Sequence, residues 1–73
     1  MSIKVNNVIN HVNKAGRAVL KMDSNSGFYQ LTITKRGNDY LVGEHPGGRV
    51  RRYNLADLKA ELITHSIYID GFR

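Results

Sequence analysis

The chain contains no cysteine, so neither disulfide bonds nor thiolate metal sites can stabilise it. It has one proline, Pro46, and no apolar run approaches the roughly 20 residues needed to cross a bilayer. The N-terminal sequence MSIKVNNVINHV also lacks the continuous apolar segment of a signal peptide. These absences predict a soluble, cytoplasmic protein with no membrane partner, which depends on a compact core or on a binding partner for its stability.

Motifs for catalysis and for metal binding are missing as well. The three histidines, His11, His45 and His65, show no metal-ligand spacing. Gly47-Gly48 lacks the Gly-Lys-Ser/Thr ending of a phosphate-binding loop and is typical of a turn. No spacing pairs the carboxylates as acid and base, and no serine lies in a nucleophile elbow. We therefore expect a protein that is not an enzyme and that uses no cofactor, metal or small-molecule substrate.

The 73 residues are enough for a single small domain spanning 1–73. A domain of this size buries only roughly 60% of its unfolded surface. The net charge of +5 is uneven: residues 1–53 carry nine basic and three acidic side chains, whereas residues 54–73 carry two and three. Such a basic body favours an acidic partner, either nucleic acid or a protein surface, although spare cations also serve solubility.

The centre of the chain, residues 28–53, predicts three short strands joined by two turns. Tyr29, Leu31 and Ile33 alternate with polar residues, and this period of two is typical of a half-buried strand. Lys35-Arg36-Gly37-Asn38-Asp39 and the later HPGG sequence supply turn residues, among which glycine and asparagine tolerate positive φ angles.

Upstream of this segment, apolar residues at helical spacing predict a helix over residues 3–15 that ends at Gly16. We prefer a strand over residues 17–22, with Ala18, Leu20 and Met22 facing inward, to a continuation of the helix through Met22. The following DSNSG sequence predicts a turn that joins this strand to the next as an antiparallel hairpin.

Downstream, Asn54 is predicted to cap a second helix, with Asp57 three residues later. Lys59 and Glu61 are expected to point outward. The expected apolar face of the second helix consists of Leu55, Leu58, Leu62 and Ile63. After this helix, residues 66–70 alternate again and predict a last short strand.

The predicted order is α-β-β-β-β-α-β, and short connections favour antiparallel neighbours. Two amphipathic helices require one apolar sheet face, so the predicted fold class is α+β, a two-layer sandwich. In it, a mostly antiparallel meander of four to five strands carries the N-terminal helix and the short C-terminal helix on one face. The expected core consists of Val5, Val8, Ile9, Val12, Leu20, Leu31, Ile33, Leu41, Leu58, Leu62 and Ile67.

A cluster of cations beside the Gly-Gly turn is the candidate binding site. On an extended strand Arg49 and Arg51 share one face and Arg52 takes the other. Cations from the preceding turn would extend the cluster into a positive ridge, with a tyrosine available for stacking. Such a ridge can bind phosphates or protein carboxylates, or it can protect a sheet edge from pairing. The candidate partner-binding residues are Lys35, Arg36, Arg49, Arg51, Arg52 and Tyr53.

The amphipathic VNNVINHV helix, the basic KRGND and GGRVRRY segments and the capped NLADLKAEL helix occur in a short, basic, cysteine-free chain. In length and general build the chain resembles the small regulators by which lytic bacteriophages take over their hosts. The resemblance implies transcription regulation by protein–protein contact with host RNA polymerase, through inhibition of initiation and antitermination. No contact residue carries over from that family. The alternative is a nucleic-acid-binding module whose basic β-hairpin contacts phosphates.

Overall fold

The computed structural model describes residues 3–25 and 27–73. Within these residues, the first helix and the first hairpin are followed by two further strands, a second helix, a 3₁₀ turn and a last strand. The elements are α1 (Ile3–Ala15), β1 (Arg17–Ser24), β2 (Gly27–Arg36), β3 (Asp39–His45), β4 (Val50–Tyr53), α2 (Leu55–Thr64), the 3₁₀ turn Ser66–Tyr68 and β5 (Ile69–Phe72).

The five strands form one antiparallel sheet in the order β4-β3-β2-β1-β5. Strands β1 to β4 are a meander, and β5 returns to pair with β1 at the opposite edge from β4. Both helices contribute to a single buried core on one face of the sheet, which we call the helix face; the other is the open face. The predicted α+β two-layer sandwich is therefore confirmed.

Helix α1 begins and ends where the apolar spacing predicts. Its buried stripe is Val5, Val8, Ile9 and Val12. Gly16 has a φ of +82° and donates its N–H to the Val12 carbonyl at 2.7 Å, which terminates the helix in a left-handed conformation. The alternative in which the helix continues to Met22 is wrong.

Strand β1 instead leaves the helix directly and buries Ala18, Leu20 and Met22, as the alternation predicts. It continues to Ser24, where it pairs with Gly27 of β2. The predicted turn between them is thus shorter than the DSNSG sequence, and Ser26 lies outside the described residues. Pairing is extended toward the turn because each added residue pair lets further backbone N–H and C=O groups form hydrogen bonds, and this leaves few residues for the loop.

The turn between β2 and β3 is also shorter than predicted. Only Gly37 and Asn38 lie between the strands, and Gly37 has a φ of +60°. A positive φ at the first of two central residues is the geometry of a type II′ hairpin, whose twist matches that of the flanking strands. Lys35 and Arg36 therefore belong to β2, and their side chains point to opposite faces of the sheet.

Helix α2 is capped as predicted: the Asn54 side chain accepts a hydrogen bond from the Asp57 N–H at 2.8 Å. Its predicted apolar face is only half right. Leu58 and Leu62 are buried, whereas Leu55 and Ile63 are 40% and 50% exposed. This helix of ten residues contacts the sheet along one narrow stripe, so that only positions four apart reach the core.

The predicted strand over residues 66–70 is wrong in its first half. Ser66–Tyr68 form a 3₁₀ turn, in which the Tyr68 N–H donates to the His65 carbonyl at 3.0 Å. Ile67 is consequently 81% exposed, and Ile69, at the start of β5, is buried in its place. The alternation of isoleucines is compatible with a strand and with a 3₁₀ turn. The hydrogen bond from the Tyr68 N–H to the His65 carbonyl at the end of α2 forms the turn.

The observed core also differs from the expected core at Leu41 and in several additional buried residues. Leu41 is half-buried on the open face, because it lies between Tyr40 and Val42, which both point into the core. The Tyr40 hydroxyl donates to the Asn13 Oδ1 at 2.6 Å and so joins α1 to the sheet. Buried apolar residues that the expected core did not include are Ala18, Met22, Tyr40, Val42 and Ile69.

Candidate partner-binding surface

Strand β4 is an edge strand, and its register places its side chains on both faces of the sheet. Arg51 lies opposite Val42, and Arg52 lies opposite Leu41. Because Val42 points into the core and Leu41 to the open face, Arg51 is on the helix face and Arg52 on the open face. This confirms the prediction that the two arginines diverge.

Arg49 and Arg51 are exposed, and within the described residues neither has a carboxylate oxygen within 4 Å. The backbone of Arg49 is held in place, since its carbonyl accepts the Glu44 N–H at 2.8 Å. Arg52 differs: its Nε donates to the Asp39 Oδ2 at 3.0 Å. Two of the three guanidinium groups beside the Gly-Gly turn are therefore available to a partner.

The remaining predicted site residues divide between the two faces. Lys35 lies on the helix face with its Nζ 4.9 Å from the centroid of the Tyr40 ring, a cation–π contact. Tyr53, opposite Tyr40, is half-buried against the core. Arg36 lies opposite Asp39 on the open face. The predicted ridge is thus two groups of cations, separated by the sheet.

The helix-face group borders a cleft of about 220 Å³ between the C-terminal end of α2 and the sheet. Its floor is apolar, formed by Leu31 and Val42, and its rim carries charges of both signs. It is lined by Tyr29, Leu31, Val42, Glu44, Arg49, Arg51, Tyr53, Glu61 and His65. Sequence reasoning missed this site, because its residues come from four separate segments and only the tertiary fold brings them together.

The cleft brings one histidine together with two carboxylates, a grouping that the sequence does not predict. His65 Nε2 lies 2.9 Å from Glu61 Oε1, one helical turn away. Their side chains are 36% and 43% exposed, so solvent screens the pair, and such surface pairs contribute at most about 1 kcal/mol. Glu61 points toward this cleft and is half-buried, which corrects the expectation that it points outward.

Tyr29 forms one wall of the cleft and is the residue whose acidity the site perturbs. Burial raises the pKa of the Tyr29 phenol above its ordinary value of 10.0, and the negative charges of Glu44 and Glu61 raise it further, as does Tyr68. The folded protein therefore holds this proton more tightly than the unfolded chain does.

This pKa shift predicts a loss of stability at alkaline pH. Below pH 10.0 the Tyr29 phenol is protonated in both states, but above it the unfolded chain ionises first, so the free energy of unfolding falls as the pH rises. Urea unfolding at about pH 8 and about pH 11 should show a smaller loss for Tyr29→Phe than for the unaltered chain. An equal loss in both proteins would show that Tyr29 does not contribute.

Among residues 3–25 and 27–73, no group of three histidine or carboxylate side chains is arranged to hold a metal ion. In the same part of the chain, no helix is long and apolar enough to cross a membrane. What the cleft offers chemically is an apolar floor beside guanidinium, carboxylate and imidazole groups, a combination that can bind a side chain of another molecule.

No protein-family model, curated protein or solved structure matches this chain.

Proposed function

We propose that this chain is a non-catalytic regulatory protein that acts by binding an acidic surface of a larger protein. The observation that carries this proposal is that two exposed arginines, Arg49 and Arg51, line a cleft with an apolar floor. Protein interfaces obtain most of their affinity from side chains inserted into such pockets, and enriched arginine is one of their compositional marks.

The two parts of the surface have separate roles. An apolar side chain of the partner would contact Leu31 and Val42 at the floor, where water is displaced. Carboxylates of the partner would accept hydrogen bonds from Arg49 and Arg51, whose planar groups bind carboxylates with two donors. These charges mainly accelerate association and select the partner, while the apolar contact supplies affinity.

The charges in the cleft favour a protein over nucleic acid at this surface. Glu44 and Glu61 line it together with the arginines, so a phosphate chain following the cleft would meet two negative charges. A protein segment carries apolar, acidic and basic side chains side by side and can complement all three kinds of group.

We propose RNA polymerase as this partner. The basis is the resemblance in length and build to phage regulators that block initiation and promote antitermination by contacting the host enzyme. With that partner the chain would work in the cytoplasm of the host bacterium. It would regulate transcription by occupying a surface of the polymerase, and it would make or break no bond itself.

Charge reversal of the two free arginines tests the proposal. Purified bacterial RNA polymerase should form a stoichiometric complex with the unaltered chain, measurable by calorimetry or by size-exclusion chromatography. Arg49→Glu with Arg51→Glu should weaken this complex at least about 30-fold, or about 2 kcal/mol, because both carboxylate contacts become repulsive. Since glutamate still places a charge at the sheet edge, the variant retains any protection against edge pairing.

The matched control is Lys14→Glu with Lys59→Glu, which makes the same change in net charge at exposed positions elsewhere on α1 and α2. Its affinity should stay within about threefold of the unaltered chain. If the unaltered chain formed no complex with RNA polymerase, the choice of polymerase as the partner would be contradicted. Equal losses in both double variants would mean that net charge, and not the β4 surface, determines binding.

A further inference from the structure

Within residues 3–25 and 27–73, no helix covers the open face of the sheet, and small side chains occupy its centre. The middle row of side chains runs across four strands through Val19, Thr32, Gly43 and Val50, which the register aligns. None of these residues is larger than valine, and Gly43 contributes no side chain at all. A rigid partner can therefore approach the sheet closely along this row.

Cations border this centre on several sides. Arg17 and Arg52 end the neighbouring row, in which Thr34 and Leu41 lie between them. Arg73 exchanges two backbone hydrogen bonds with Val19, of 2.7 and 3.0 Å, and so lies at the far end of the middle row. The cations of the open face are Arg17, Lys21, Arg36, Arg52 and Arg73.

The carboxylates of the open face are Asp23, Asp39 and Asp70, and they leave most of these arginines free. Asp39 is bound to Arg52, and Asp70 lies 3.8 Å from Lys21. In the described part of the chain, no carboxylate lies within 4 Å of three of the cations, namely Arg17, Arg36 and Arg73. The border of the face therefore presents unpaired guanidinium groups around an uncharged centre.

We propose that the open face binds the phosphate backbones of double-stranded DNA. Arginine side chains contact phosphates, and threonine and glutamine side chains, which Thr32, Thr34 and Gln30 supply here, contribute further hydrogen bonds to them. The unpaired arginines of this surface are different from those of the cleft, which lies on the opposite face of the sheet. The inference therefore does not depend on the proposed polymerase contact.

The dimensions of the face fit a duplex. Arg17 and Arg52 are three strand spacings apart, which is about 14 Å at roughly 4.8 Å per strand. The major groove of B-form DNA is about 12 Å wide, so long side chains at this separation reach the phosphates on its two sides. The major groove of double-stranded RNA is too narrow for the same contact.

The side chains at the centre exclude the main alternative mode of nucleic-acid binding. Single strands are held by aromatic rings on which successive bases stack. On the described part of the open face the aromatic rings are those of Phe28 and His45, which lie toward the β1–β2 turn end of the sheet and outside the middle row. Phosphate contact without base stacking is the mode that the face supports.

The experiment measures binding of the full chain to a random-sequence DNA duplex by fluorescence anisotropy, with salt raised from about 50 to about 200 mM. Three double variants carry the same change in net charge: Arg17→Glu with Arg73→Glu on the open face, Arg49→Glu with Arg51→Glu at the cleft, and Lys14→Glu with Lys59→Glu on the helices. Circular dichroism confirms that each one folds.

We expect the open-face variant to bind the duplex at least about tenfold more weakly, with a salt slope smaller by about two units, because two phosphate contacts are lost. The other two variants should stay within about threefold of the unaltered chain. The cleft variant should bind polymerase more weakly but bind DNA with unchanged affinity, so that the two proposals can fail separately.

Four results would overturn this inference. They are no detectable binding at about 50 mM salt, an equal loss in all three variants, a preference for single strands or for duplex RNA, and equal competition by polyglutamate. The last result would identify an acidic protein as the occupant of the open face.

Discussion

Val8→Asp should leave the chain unfolded at 25 °C. Val8 is fully buried in the stripe of α1 that packs on the sheet, and within the described residues no cation lies in that core. Burying an unpaired carboxylate costs several kcal/mol, whether the group stays charged or takes up a proton. A domain of 73 residues has a total stability of roughly 4–11 kcal/mol, so the substitution removes much or all of it.

Asn10→Asp is the control for this substitution, since it places the same side chain on the exposed side of the same helix. Far-ultraviolet circular dichroism and thermal melts would compare the two variants. The control should melt within a few degrees of the unaltered chain. A cooperative melt of Val8→Asp near that temperature would mean that α1 does not pack on the sheet through this residue.

Leu58→Ala should lower the free energy of unfolding by about 2–5 kcal/mol. Leu58 is fully buried where α2 crosses the sheet, so its truncation removes apolar contacts and leaves a cavity in the core that α1 shares. In a domain of this size each kcal/mol lowers the melting temperature by about 4–8 °C, and the expected drop is at least about 8 °C.

Leu55→Ala makes the identical change three residues earlier in the same helix, where the side chain is 40% exposed. Its cost should be less than about half that of Leu58→Ala, because less apolar surface is returned to water and no enclosed cavity forms. Urea unfolding measures both costs. Equal costs would contradict the orientation of α2 and would favour the broader apolar face that the sequence predicts.

The elements that sequence reasoning located correctly depend on interactions between residues close together in the chain. Gly16 ends α1 because glycine adopts a positive φ without steric cost, and Asn54 caps α2 through an N–H three residues away. The alternation in β2 is also a local property: successive side chains of a strand point in opposite directions, which places Leu31 and Ile33 on one face.

The errors concern residues for which local pattern allows two structures. Ile67 and Ile69 alternate as in a strand, but the chain leaving α2 first makes a 3₁₀ turn and Ile67 remains exposed. Ile63 continues the apolar spacing of α2, yet the buried residues of this helix are Leu58 and Leu62. In each case the orientation of one element against another decides burial, and a sequence pattern contains no information about that orientation.

The same distinction applies to function. The sequence by itself determined that the chain is basic and that three of its six arginines lie within residues 49–52, because charge and spacing are properties of the sequence. Only the tertiary structure decided that the predicted ridge divides between two faces and that Glu44, Glu61 and His65 meet Arg49 and Arg51 in one cleft. The physical reason is that strand register and helix packing bring together groups that are distant in sequence, whereas local spacing relates only near neighbours.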